Sequence, residues 1–165
     1  MLFSSAIAFA SSSANPTFWY YSHTPSLRFR TGLTDNGMLQ FKSIQDFVAG
    51  GKNVIDWFDK DTRAKFEALF GDMAKYVLYE YAQLDMTSSI SGARRARLEF
   101  QATFKVGDPV AIAIGLLKDG VTTWYPVEAV VFQVKPFSTL EFDLSVDLLK
   151  LMYNADEITI IAMST

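Results

Sequence analysis

Any chemistry in this sequence has to begin from very few residues. His23 is the single histidine among 165 residues, and there is no cysteine. Zinc sites, thiol nucleophiles and histidine-based proton relays therefore have almost nothing to work with. Carboxylates, lysines and tyrosines remain, yet the 18 acidic residues form no recognisable catalytic pattern. His23 stands beside Thr24 and Pro25, a turn setting. A catalytic histidine needs an orienting carboxylate and a nucleophile, neither of which the sequence places. Asp56, Asp59 and Asp61 suggest a cation site, but a calcium loop counted from Asp59 fails. Its sixth position is Ala64 and its twelfth Phe70, where glycine and glutamate are required. These carboxylates read instead as caps facing the positive end of a helix. Neither the P-loop nor the dinucleotide-binding glycine pattern occurs. The sequence thus predicts no catalytic residue, no metal and no cofactor, and a carboxylate-based hydrolase has no motif behind it.

Residues suited to contact are better represented. Phe18, Trp19, Tyr20 and Tyr21 run consecutively. Alternation along a strand sends two of them to each face, so one pair should leave the local core. Exposed aromatics suit a subunit contact or sugar stacking; a strand buried on both faces is the alternative reading. Trp57-Phe58 and Trp124-Tyr125 pose the same question. Arg94, Arg95 and Arg97 cluster ahead of a strand, where they could grip an acidic patch on a sister subunit or simply face solvent. A net charge of -3 argues against general affinity for nucleic acid.

Where these residues sit depends on the helices and strands around them. The chain is half apolar and 15% aromatic, enough to bury a real core in one domain. Residues 1–16, rich in Ser and Ala, form an expected retained N-terminal arm that lacks the length to span a membrane. Residues 17–165 form one domain. Leu27, Phe29 and Thr31 alternate ahead of Asn36-Gly37, which predicts a hairpin returning through 38–42. Ser43 and Asp46 resemble a capping box, Gly50-Gly51 ends the turn behind it, and 54–58 suggest another helical turn. One long amphipathic helix is predicted at about 62–84, with Phe66, Leu69, Phe70, Met73, Val77, Tyr81 and Leu84 in one stripe and Gly71 inside it.

Beyond a polar linker, 87–93, the pattern turns to strands. Leu98, Phe100, Ala102 and Phe104 alternate; 110–117 is apolar on both faces and therefore central; Asp119-Gly120 predicts a hairpin. Pro126 should place a bulge or an edge within 121–134. Strands over 140–146 and 157–163 flank a short helix over 147–153. The fold class is α+β: mainly an antiparallel sheet or sandwich with the 62–84 helix packed against it.

These features together predict a non-enzymatic structural subunit of a symmetric assembly, such as a virus or phage particle or a surface filament. Its expected partners are copies of itself or other assembly subunits, with no nucleic acid and no membrane span. The virion or cell exterior is the favoured location. A monomeric β-rich binding module recognising carbohydrate or peptide through 18–21 is the rival expectation.

Overall fold

The computed structural model describes residues 20–134 and 137–165. The expected arm, 1–16, and Phe18 and Trp19 of the aromatic run lie outside the described residues. Eight strands form one sheet: β1 (Tyr21–Ser22), β2 (Leu27–Phe29), β3 (Val77–Met86), β4 (Arg94–Phe100), β5 (Val110–Lys118), β6 (Val121–Gln133), β7 (Ser138–Leu144) and β8 (Glu157–Ser164). Their spatial order is β1-β4-β7-β6-β5-β8-β3-β2, and every neighbouring pair is antiparallel. The helices are α1 (Asp35–Ala49), α2 (Lys60–Phe70) and α3 (Val146–Tyr153), with a 3-10 turn at Val54–Trp57. Among the described residues no helix is long and apolar enough to cross a membrane.

The sheet curls until its two edges approach, giving a near-barrel. Tyr20, just ahead of β1, packs its ring 5.4 Å from Phe29 of β2 and 5.9 Å from Phe100 of β4. Inward side chains of all the longer strands, among them Leu98, Ile112, Ile114, Leu140 and Ile160, fill the interior. Each such burial contributes about 1.5–3 kcal/mol before the entropy of ordering is set against it. Leu148, Leu149 and Met152 of α3 join the same core, so that helix closes one end. A second core lies outside the sheet. There Phe41, Ile44 and Val48 of α1, Phe58, and Phe66 of α2 pack on Leu78, Tyr81, Ala111, Ala113, Trp124, Ile161 and Met163.

The expected helix over 62–84 is not one element. Asp59 caps α2, accepting from the Thr62 N–H, but the helix stops at Phe70 because Gly71 takes φ 75°. That left-handed residue turns the chain at its C-cap. The chain then enters β3, whose Val77, Tyr81 and Leu84 fit the helical stripe by coincidence of spacing. A bulge between Leu78 and Glu80 shifts the strand's phase. Leu78 and Tyr81 therefore face the outer core, while Glu80, Ala82 and Leu84 turn inward. Phe66 and Met73 are buried, whereas Leu69 is exposed.

The Asn36-Gly37 hairpin is likewise replaced by a helix. Thr34 caps α1 by accepting from the Gly37 N–H, and Phe41, Ile44 and Val48 then recur at helical spacing. Gly37 serves a close approach rather than a turn: a Cβ there would fall 2.5 Å from Oε1 of Gln83. Ser43 and Asp46 sit inside α1, where Asp46 pairs with Lys42 one turn earlier. The strand expected through Ala102 and Phe104 ends at Phe100, and those two residues are buried beyond it. β5 is interior to the sheet, Asp119 and Gly120 make the turn with φ 50° and 81°, and α3 and β8 close the chain where the pattern puts them. Pro126 lies on the stretch of β6 that pairs with β5 alone, since β7 joins only from Ala129. A residue without an N–H is tolerated on such an edge.

Candidate interaction face

The pleat decides which side chains reach the surface. Along β4, Ala96, Leu98 and Phe100 point inward, which sends Arg95, Arg97 and Glu99 outward. Along β7, Leu140, Phe142 and Leu144 point inward, and Thr139, Glu141 and Asp143 outward. Register sets Arg95 opposite Asp143 and Arg97 opposite Glu141. A basic row thus runs beside an acidic row. Arg97 Nε donates to Glu141 Oε2 at 2.6 Å, and Arg95 Nε to Asp143 Oδ1 at 3.0 Å. Glu141, its side chain only 12% exposed, also lies 3.6 Å from Arg95. Exposed pairs of this kind add little to folding stability.

Apolar and aromatic groups flank the two rows. On one side Tyr21, paired with Glu99, is 59% exposed, and its ring stands edge-on to His23 at 4.7 Å. His23 Nε2 lies 3.1 Å from Glu99 Oε1. On the other side Val130 and Phe132 of β6 are 56% and 48% exposed. Phe132 follows the inward Val131 and so points outward, and the Arg97 guanidinium lies 4.1 Å over its ring. Among the described residues, the helices cover β3, β8, β5 and the start of β6 and leave this half of the outer surface bare.

Of the residues singled out from sequence, the fold brings Tyr21, Arg95 and Arg97 onto this one face. Arg94, opposite Leu144 at the strand's start, falls in the other phase and stands apart from the row. Tyr20 points the opposite way from Tyr21, into the interior. Phe58 and Trp124 are buried under α1 and α2, their rings 5.3 Å apart. Asp59 is a helix cap, and the Thr62 N–H holds its carboxyl below the usual carboxylate range. Asp56 pairs with Arg63.

One residue that sequence reasoning missed is Glu80, wholly buried inside the near-barrel. Its Oε1 accepts from the Tyr20 hydroxyl at 2.6 Å and its Oε2 from the Ala102 N–H at 2.7 Å. β2 pairs with β3 only between Leu84 and Met86, so no ladder bridges the two edges at the height of Glu80. Its carboxyl makes that link instead, tying β3 to the lead of β1 and to the chain beyond β4. Burial pushes its pKa up to about 7. Both oxygens are taken by protein donors, which makes it a structural tie. The signal was present: a lone Glu in the apolar alternation of 77–84.

Hollows among the described residues lie elsewhere. An apolar one of about 160 Å³ sits between the 3-10 turn and β3, lined by Val48, Val54, Tyr76 and Leu78. A polar groove of about 370 Å³ runs past Arg28, Arg30, Asp85, Asp156 and Glu157. Its charges are of both signs, and Arg28 and Arg30 both turn onto Asp85. Compared with known proteins, the chain matches no family, no curated protein and no solved structure.

Proposed function

We propose that the chain is a non-enzymatic structural subunit of a symmetric assembly, and that the bare half of its outer sheet meets a neighbour. The observation that carries this reading is the unequal cover of a single sheet. Among the described residues, two helices seal one half, while Tyr21, Val130 and Phe132 stand exposed around paired charges on the other. Aromatic and arginine side chains are the types enriched where proteins meet. Light scattering across a concentration series tests the reading. A defined oligomer supports it; a monomer at every concentration overturns it. The rival reading, a module that binds carbohydrate, rests on the exposed Tyr21 ring packed against His23. A monomer that retains specific glycans on an array would favour that rival.

A further inference from the structure

We infer that the neighbour on this face is a second copy of the same chain, related by a two-fold axis lying between the two faces and running along the strands. The inference rests on the assembly reading and names its partner and geometry. An isologous contact must be complementary to itself. A face of one sign would repel its own copy, whereas this face carries a basic row on β4 beside an acidic row on β7. Rotation about an axis along the strands exchanges the two columns and preserves height along them. Arg97 of one copy then lies over Glu141 of the other, and Arg95 over Asp143. An axis across the strands keeps each column in place and sets arginine over arginine, a costly arrangement. The charge pattern therefore selects one axis of the two.

The flanking residues obey the same operation. In the order β1-β4-β7-β6, an axis between β4 and β7 carries the β1 column onto the β6 column. Tyr21 is the register partner of Glu99, Glu99 of Thr139, and Thr139 of Gln133, the residue after Phe132. Tyr21 of one copy is thereby brought over Phe132 of the other. Exposed apolar rims meet each other, and the charge rows meet at the centre. Aligned sheets pack in this way about 10 Å apart, with a modest offset from their twist.

Reciprocal charge swaps and a designed crosslink test the geometry. The double variant Arg95→Glu/Arg97→Glu makes both columns acidic at the two paired heights, and Glu141→Arg/Asp143→Arg makes both basic there. Each alone should self-associate at least about a hundredfold more weakly than the parent, and an equimolar mixture should recover pairing. Circular-dichroism melts establish that each variant is folded. The crosslink reports without any change of charge. Tyr21 and Phe132 lie three strand spacings apart in one chain, about 14 Å, which is beyond disulfide reach. Faces about 10 Å apart are also too far for a direct disulfide but within reach of a short bifunctional thiol reagent, so in this cysteine-free sequence that reagent should join Tyr21→Cys/Phe132→Cys into a covalent dimer, while each single variant stays uncrosslinked. An oligomer indifferent to both charge swaps, or crosslinked as well by Tyr21→Cys alone, overturns the inference and leaves the assembly reading standing. A parent protein that is monomeric throughout overturns both.

Discussion

The two halves of the outer sheet surface share one pleat and differ in everything it presents. Under α1 and α2 the outward positions are Leu78, Tyr81, Ala111, Ala113, Ile161 and Met163. On β4 and β7 the outward positions are Arg95, Arg97, Glu99, Thr139, Glu141 and Asp143. Alternation alone cannot tell which half a strand belongs to, because it only separates inside from outside. The outward residue type does so: apolar where a helix docks, charged in paired rows where no described helix does. The rim of Tyr21, Val130 and Phe132 departs from a purely solvated surface, and that departure gives the bare half its reading as a contact.

Substitutions on the two halves should part most sharply in stability. Phe66 is fully buried between Phe58 and Phe70, so Phe66→Ala should cost about 3–5 kcal/mol. Phe132→Ala on the bare half should cost less than about 1 kcal/mol while weakening self-association. Urea midpoints, with light scattering on the same samples, measure both. Equal losses of stability would erase the distinction between the halves.

Next in size is the tie at Glu80. Its carboxyl titrates near 7 in the fold against an ordinary value of 4.5, so between these values the folded chain holds more protons than the unfolded one. Its contribution is therefore full below pH 4.5 and lost as pH rises through 7, on the order of 3 kcal/mol. Urea unfolding of parent and Glu80→Gln across pH 4.5 to 7.5 isolates it: the parent's decline should flatten in the variant. Identical slopes would remove Glu80 from the linkage.

Smaller still is the cap on α2. Asp59→Ala should cost about 1 kcal/mol, with the same loss approached in the parent at low pH. The sign is opposite to that of Glu80, since this carboxyl is held low in the fold and its contribution disappears as pH falls. Arg95→Ala should leave the monomer's melting temperature unmoved, because its own side chain is largely exposed and Glu141 keeps its bond to Arg97. A clear drop would mean that the charge rows hold the fold together rather than meet a neighbour.

The parts legible in the sequence were those written locally. The run 110–117 read as a central strand, Asp119-Gly120 as a hairpin, and Pro126 as a bulge or an edge, because each depends on neighbours along the chain. The helix over 62–84 misled because Val77, Tyr81 and Leu84 satisfy helical spacing and strand membership at once; Gly71 at a positive φ and the bulge after Leu78 decided between them. Asn36-Gly37 misled because the Thr34 cap and the side chain of Gln83, 46 residues beyond Gly37, favour the helix. Alternation correctly split Tyr20 from Tyr21. The pairing of Arg95 and Arg97 with Asp143 and Glu141 was illegible, since register between β4 and β7 is a long-range property. Glu80 was visible as a residue but not as a tie, because its donors come from Tyr20 and Ala102.

Hydroxyl-radical footprinting of the assembled and the diluted protein puts the contrast between the halves to its sharpest test. Tyr21 and Phe132 on the bare half, and Met38 and Leu39 on α1, are all exposed in the single chain and supply matched reporters. On assembly Tyr21 and Phe132 should lose reactivity while Met38 and Leu39 keep theirs. Protection of Met38 and Leu39 with Tyr21 and Phe132 unchanged would contradict that contrast and move the contact to the helices.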